Sequence, residues 1–347
     1  MTMKKRTRTD YFKQRRKVKK KRKFLQLSLL LLLGFIFVVF GYAFSLLNKV
    51  QTAADEAFEP IDATPTKARE SVEPAKDNVS VLLLGIDNGD SREDQDDENS
   101  RTDAMLVATF NPKMKTIKLL SIPRDTYVYI PEVGYKDKIT HAHAFGGVRA
   151  SVDAVEDLLD IPIHYYIKMN FNAFIDVVDA LGGIDVEVPY ERIEKDENDQ
   201  NSIHLEPGLQ HLDGRHALAL ARTRKLDSDF DRGKRQQMII EAMVERASSI
   251  SSVTRYGDII DALGANMKTN MTLPEMFSFF EYTKKGTPRI DSLNLLGTDD
   301  WSTGIYYYKV DTDSLDHVQT ILRNHLGLST TTAKTADTMN DKSMDEN

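Results

Sequence analysis

Residues 24–47 read F-L-Q-L-S-L-L-L-L-L-G-F-I-F-V-V-F-G-Y-A-F-S-L-L without one charged side chain. Wound as a helix, that stretch would be about 36 Å long, enough to cross the hydrocarbon of a bilayer. A transmembrane helix is therefore expected there. Residues 1–23 hold thirteen lysines and arginines against a single acid, Asp10, so the chain's net −7 conceals a head of +12 and a remainder of −19. A basic flank on one side only places the N-terminus in the cytoplasm and everything after residue 47 outside. A cleaved signal peptide is the alternative, but its apolar core should span only about 7–15 residues. Clustered basic residues beside a span serve as an anionic-lipid contact and topology signal, so no nucleic-acid partner is expected. The chain has no cysteine, which removes disulfides, thiolate metal sites and thiol nucleophiles, and suits an oxidising exterior.

Residues 48–78, rich in Ala, Thr, Glu, Lys and Pro without apolar periodicity, read as a linker. A domain spanning 79–327 should follow. The run V-S-V-L-L-L-G-I at 79–86 is typical of a strand covered on both faces. Runs at 104–110 and 116–122 are joined by N-P-K-M-K and predict a hairpin in the same sheet. Helical spacing appears at 148–159 and 171–181, strand patterning at 163–169 and 184–188, with Gly182-Gly183 as a stop between helix and strand. Residues 204–214 carry turn chemistry. Helices are expected over 215–221, 233–250, 259–267, 274–282 and 314–324, and late strands over 290–296 and 305–310. Alternation of this kind implies a layered α/β domain. Residues 328–347, rich in Thr, Asp, Lys and Met, should be disordered.

The densest chemistry lies at 222–237, R-T-R-K-L-D-S-D-F-D-R-G-K-R-Q-Q. Guanidinium groups offer rigid forks of donors that match phosphate oxygens in pairs. Arg222 and Arg224 would point the same way on an extended segment. Asp231 would cap a helix that begins at Arg232, whose free N–H groups add positive potential. The competing reading is a solvated charge run of mutual ion pairs. Asp87 ends the first strand and Asp103 opens the next, at strand ends of the sort that line ligand crevices in layered α/β folds. Two carboxylates suffice for magnesium when phosphate oxygens and water complete its shell, although strand-end aspartates are commonly turn formers. Residues 90–98, D-S-R-E-D-Q-D-D-E, read as a solvated loop. In S-I-P-R-D-T at 121–126, Pro123 ends the strand and Arg124 adds another guanidinium at a strand end; an Arg124–Asp125 surface pair is the alternative. His141 and His143 are expected to pack or face solvent. No Gly-x-Ser-x-Gly, HExxH or P-loop pattern occurs, which leaves a serine hydrolase, a zinc protease and a P-loop nucleotide hydrolase without support.

Taken together, L-L-L-G-I-D at 82–87, R-T-D-A-M at 101–105, S-I-P-R-D-T at 121–126 and K-I-T-H-A-H-A-F-G-G at 138–147 form an ordered set. A-L-G-G-I-D-V at 180–186, E-P-G-L-Q-H-L-D-G-R-H-A-L-A-L-A-R-T-R at 206–224 and D-F-D-R-G-K-R-Q-Q at 229–237 extend it. From about Val79 to at least Met238 the chain resembles the LytR-CpsA-Psr family of Gram-positive cell-wall proteins. The resemblance implies a membrane-bound phosphotransferase that moves an anionic glycopolymer, such as wall teichoic acid or capsular polysaccharide, from a polyprenyl pyrophosphate carrier to peptidoglycan. It implies a three-layer α-β-α sandwich with a central mixed sheet and an apolar groove for the prenyl tail. Asp87 and Asp103 match its magnesium-binding carboxylates, with manganese as a substitute ion. Arg124, Arg222, Arg224, Arg232 and Gln236 match its pyrophosphate-holding positions, and Arg101 and Arg235 join the same basic ring. Of these, Arg124, Arg222 and Arg224 would stabilise the transferring phosphoryl group, and Asp229 or Asp125 would accept the acceptor's proton. A non-catalytic envelope module binding lipid-linked polyanions, or a membrane-tethered regulator of transcription, would use some of the same features.

Overall fold

The computed structural model describes residues 48, 51–61, 72–86, 100–196, 200–223, 229–248, 267–284 and 286–328. The basic head, the expected span at 24–47, Asp87, the acidic 90–98 stretch, Arg224 and residues 329–347 lie outside them. Among the described residues no helix is long and apolar enough to cross a membrane.

Along the chain the elements are β1 (Val79–Ile86), β2 (Thr102–Asn111), β3 (Thr116–Ser121), β4 (Tyr127–Ile130), β5 (Tyr135–Lys138), α1 (His141–Leu159), β6 (Tyr165–Met169), α2 (Phe171–Ala180), β7 (Ile184–Val188), β8 (Arg192–Lys195) and β9 (Asn201–Leu205). They continue with β10 (Gly208–Leu212), α3 (Gly214–Arg222), α4 (Asp229–Ala247), β11 (Met267–Thr269), α5 (Leu273–Lys284), β12 (Arg289–Asn294), β13 (Gly297–Asp300), β14 (Tyr307–Val310) and α6 (Thr312–Leu326). The main sheet has six strands in the order β11-β6-β1-β2-β3-β12. It is mixed: β1 pairs antiparallel with β2 and parallel with β6, while β3 pairs antiparallel with β2 and parallel with β12.

Strand periodicity sends alternate side chains to opposite faces, and both faces of this sheet are covered. Leu82 and Leu84 of β1, Met105 and Val107 of β2 and Leu120 of β3 pack with Val152, Val155 and Leu159 of α1 and Leu322 of α6. On the other face, Val79 and Val81 meet Phe279 of α5, and Leu106, Ala108 and Leu119 meet Ile240 and Val244 of α4. A second core forms from β7, β9, β10, α3 and α4, through Val186, Val188, Leu205, Leu212, Leu220 and Ile239.

Several expectations need correction. Residues 204–214 hold the end of β9 and all of β10, not only turns, because β10 pairs residue for residue with β7. Met267 opens a strand on β6 rather than closing a helix. Arg222 is the last residue of helix α3, and its neighbour Thr223 is the C-cap, so Arg222 does not belong to an extended segment. Helix α4 begins at Asp229, which places Asp231 inside its first turn and not at its cap. Helix α1 starts earlier than expected and is broken at Gly146 and Gly147, whose φ values are −156° and 62°.

The closing helix is fastened from below by one imidazole. His325 is buried, with Nδ1 2.8 Å from the Thr109 hydroxyl of β2 and Nε2 2.7 Å from the Thr116 hydroxyl of β3. A neutral ring offers one donor and one acceptor, and two hydroxyls can complement either tautomer. Burial pushes its pKa down to about 4, aided by the nearby Lys118 ammonium and opposed by Asp291. The unfolded chain takes up this proton near pH 6.5, whereas the folded chain resists it until pH is about 4. The stability tied to His325 is therefore complete above pH 6.5 and is lost as pH falls through that window. Denaturant unfolding at pH 7 and pH 5 should show His325→Gln losing less stability between the two than the wild type; an equal loss would refute the assignment.

Candidate active site

A cavity of about 890 Å³ opens between the sheet face under α4 and the second core. Its wall takes Arg101, Asp103, Arg124, Arg222, Arg232 and Gln236 together with Leu83, Leu106, Phe171, Phe174, Leu218, Ile239 and Ile240. Six of the residues expected to act on phosphate or metal thus face one space. Most of their neighbours in that space are aliphatic or aromatic, with Asn170, Glu194 and Lys195 as the polar exceptions.

Each polar residue has a local cause for its position. The β1–β2 register slips at Gly85/Ile86, with Gly85 opposite Ala104 and Ile86 opposite Thr102. The residue skipped is Asp103, and an extra residue of this kind re-aims a side chain out of the ladder. Gly85 also lets the strands meet closely, since a Cβ there would stand 3.1 Å from the Ala104 Cβ. Arg101 leaves the chain between two anchors. His143 Nδ1 bonds the Ser100 carbonyl at 2.9 Å, and the Thr140 hydroxyl donates to the Thr102 carbonyl at 2.6 Å. His143 is accordingly a packed residue.

Arg124 follows Pro123 at the end of β3, in a turn closed by Thr126 N–H to the Pro123 carbonyl at 3.0 Å. Its Nη1 donates to Asp103 Oδ1 at 2.9 Å and its Nε to Asp125 Oδ2 at 3.3 Å. Asp125 also takes Lys138 Nζ at 2.7 Å on its other oxygen. Held between two cations, 7% exposed and absent from the cavity wall, it is badly placed as a proton acceptor.

Arg222 ends α3 with its guanidinium 4.4 Å from the Phe171 ring centroid and its Nη1 donating to the Asp196 carbonyl at 3.0 Å. Phe171 is the first residue of α2, whose N-cap Asn170 accepts from Ala173 N–H at 2.9 Å. The aromatic face thus sits at the positive end of a helix dipole. Arg232 and Gln236 are one helical repeat apart on α4, and Ile239 and Ile240 continue the same stripe. One helix face therefore changes from cationic to apolar along its length. That helix comes this close to β3 because residue 233 is glycine: a Cβ there would meet the Ser121 Oγ at 2.6 Å.

Arg235 departs from expectation. It is 3% exposed and does not line the cavity; its Nη2 donates to the Thr223 carbonyl at 2.6 Å and its Nε to the Leu220 carbonyl at 3.3 Å. It clasps the C-terminus of α3, and so fixes the base of Arg222. Asp87 and Arg224 lie outside the described residues, as does the side chain of Asp229. Among the described residues no group of three or more metal-ligating side chains occurs. Sequence reasoning missed Phe171, Phe174, Leu218, Glu194 and Lys195, all on the cavity wall. The asparagine before Phe171, which caps α2, is the one sequence signal that bears on where Phe171 sits.

Comparison with known proteins gives a consistent picture. The model of the LytR_cpsA_psr family matches residues 43–324. A relative in Bacillus subtilis (strain 168), polyisoprenyl-teichoic acid–peptidoglycan teichoic acid transferase TagT, is 40% identical over 321 residues, covering 91% of this chain and 98% of its own. The solved structure of TagT bound to LIIa-WTA superposes with a TM-score of 0.66 at 40% identity, covering 77% of this chain and 97% of that one. A structure of YwtF (TagT) with bound octaprenyl pyrophosphate lipid gives a TM-score of 0.61 at 35% identity over 77% of this chain and all of that one.

The Phe171–Arg222 contact has a measurable consequence. Phe171→Leu keeps the apolar bulk and removes the ring face, and should weaken calorimetrically measured binding of inorganic pyrophosphate by about three- to tenfold. Unchanged affinity would show that Arg222 is placed by other means.

Proposed function

The chain belongs to the LytR-CpsA-Psr family, and on that premise we propose that it is a phosphotransferase that moves an anionic glycopolymer from a polyprenyl pyrophosphate carrier onto peptidoglycan. The observation that carries this reading is the composition of one cavity wall, with guanidinium groups at Arg101, Arg124, Arg222 and Arg232 beside the apolar side chains of Leu83, Leu106, Phe171, Phe174, Ile239 and Ile240. A diphosphate with an isoprenoid tail has the same division of polarity. The neighbour with octaprenyl pyrophosphate and the transferase relative support it.

An acceptor hydroxyl attacks the phosphorus nearer the glycopolymer. A new O–P bond forms, the bond to the bridging oxygen breaks, and polyprenyl phosphate departs with the electron pair. Negative charge grows on the bridging and equatorial oxygens, where preorganised cationic donors are worth most in a water-poor site. Arg124, Arg222 and Arg232 are assigned that role with Arg224, while Arg101 and Gln236 orient the diphosphate. The hydroxyl's proton passes to Asp229, at the first position of α4 and three residues ahead of Arg232. No covalent enzyme intermediate is needed.

A divalent ion belongs to this proposal. Asp103 is carried into the cavity by its register slip, and it is a hard oxygen donor beside the arginines, the type magnesium takes together with phosphate oxygens. Asp103 and Asp87 would hold magnesium, or manganese in its place, and the ion would supply further charge neutralisation to the diphosphate. The assignment of 24–47 as a single membrane span completes the proposal, with residues 1–23 in the cytoplasm of a Gram-positive cell and the domain outside. Such an anchor keeps the site beside the lipid that carries its substrate.

In a transfer assay with a synthetic polyprenyl-pyrophosphate-linked donor, Arg124→Ala and Arg222→Ala should each lower the rate on the order of 10²–10³-fold. Wild-type rates in both would exclude direct contact with the phosphates. Asp87→Asn combined with Asp103→Asn should abolish the dependence of rate on added magnesium; a dependence that survives would assign these residues to turns.

A further inference from the structure

Beside the arginine-lined part of the cavity lies a set of rings, one exposed and three half-buried, that the transfer of phosphate does not use. Trp301 is 64% exposed at the tip of the β13–β14 hairpin, with its ring centroid 5.0 Å from that of Tyr306. Tyr307 packs against Tyr127 of β4, with ring centroids 4.7 Å apart and planes tilted by 56°. The hairpin is tied to the rest by Tyr308 N–H, which donates to the Asp125 carbonyl at 2.8 Å.

These rings connect to the site by a chain of contacts. Lys138 Nζ lies 5.6 Å from the Tyr306 ring centroid and 5.8 Å from that of Tyr307, and it pairs with Asp125 at 2.7 Å. Asp125 bonds Arg124, and Arg124 lines the cavity. Carboxylates border the rings on the outside: the Tyr306 hydroxyl donates to Asp299 at 3.0 Å, and Lys309 pairs with Asp300 at 2.6 Å.

We propose that Trp301, Tyr306 and the adjoining Tyr307–Tyr127 pair form a platform for the acceptor glycan, holding a strand of N-acetylated aminosugars so that one hydroxyl reaches the Arg124 side of the cavity. This rests on the transferase reading given above. Sugar rings present an apolar C–H face and a rim of hydroxyls, and rings bordered by carboxylates and phenols match both parts. Anionic lipid is the poorer match, because a membrane surface selects uncompensated lysines and arginines. Here Lys138 and Lys309 are each paired with a carboxylate, and Lys136 lies over the Tyr127 ring, 5.9 Å from its centroid. Continuity with the phosphate-binding residues separates this patch from a general exposed apolar area.

Trp301 is the only tryptophan in the sequence, so the emission of the native protein reports on the platform directly. The full chain, kept in a zwitterionic detergent, would be titrated with peptide-free strands of β-1,4-linked N-acetylated aminosugars. Saturable change in Trp301 emission is expected. Tyr306→Ala should move the midpoint about tenfold higher, the loss typical of one aromatic anchor, while affinity for inorganic pyrophosphate stays at the wild-type value. Emission that does not respond to the strands, or a Tyr306→Ala midpoint equal to the wild type, overturns the proposal. Emission that responds only to vesicles of anionic phospholipid assigns the face to the membrane and overturns it equally. The titration needs neither donor nor turnover. A chain that transfers without this response sinks the platform alone, and one that shows the response without transfer sinks the transferase reading alone.

Discussion

Removing a guanidinium from water is costly unless its donors are engaged by something fixed, and this fold places two of them, Arg232 and Arg235, almost wholly beneath the surface. The two are spent differently. Arg235 gives its donors to carbonyls at the end of α3, an arrangement that also suits the negative end of a helix dipole. Arg232 faces the cavity. The first therefore holds in place the helix end from which Arg222 projects, and the second shares with Arg222 the task of meeting a ligand. Structure and binding are linked through neighbouring turns of α4.

That helix also explains how one cavity serves two unlike halves of a ligand. Its cavity-facing stripe passes from Arg232 and Gln236 to Ile239 and Ile240, so the polarity of the wall changes without a change of element. The opposite wall is made by strand ends and the start of α2, where a skipped residue presents Asp103 and an aromatic ring supports Arg222. Rigid elements, not loops, carry most of these side chains, and a preorganised site depends on that.

Much of this was legible in the sequence, and the reasons it was legible differ from place to place. The bounds of β1 match the expected run residue for residue, because a strand buried on both faces leaves a nearly continuous apolar signature. Strands β8, β9 and β10 carry Arg192, Glu194, His204 and Gln210 among their apolar residues. In two-stranded pairs with one wet face, that pattern resembles turn chemistry. The basic character of 222–237 identified a cationic site, yet charge alone has no direction: the same pattern fits Arg232 facing the cavity and Arg235 facing a helix end. Phe171 and Leu218 were invisible as cavity residues because an apolar side chain lining a groove looks, in sequence, like one filling a core. Arg222 was assigned to an extended segment because the break at Thr223 follows it immediately.

The contact between residue 233 and Ser121 has a consequence for how this architecture can vary. With glycine at the crossing, α4 rests on the end of β3 with no side chain as a spacer. Rotation of the helix by one position would bring a bulky group into that gap, so its phase is mechanically keyed to the sheet. The angular positions of Arg232 and Gln236 about the helix axis are thereby locked to the sheet, so the direction of their side chains is set by a residue that itself has none.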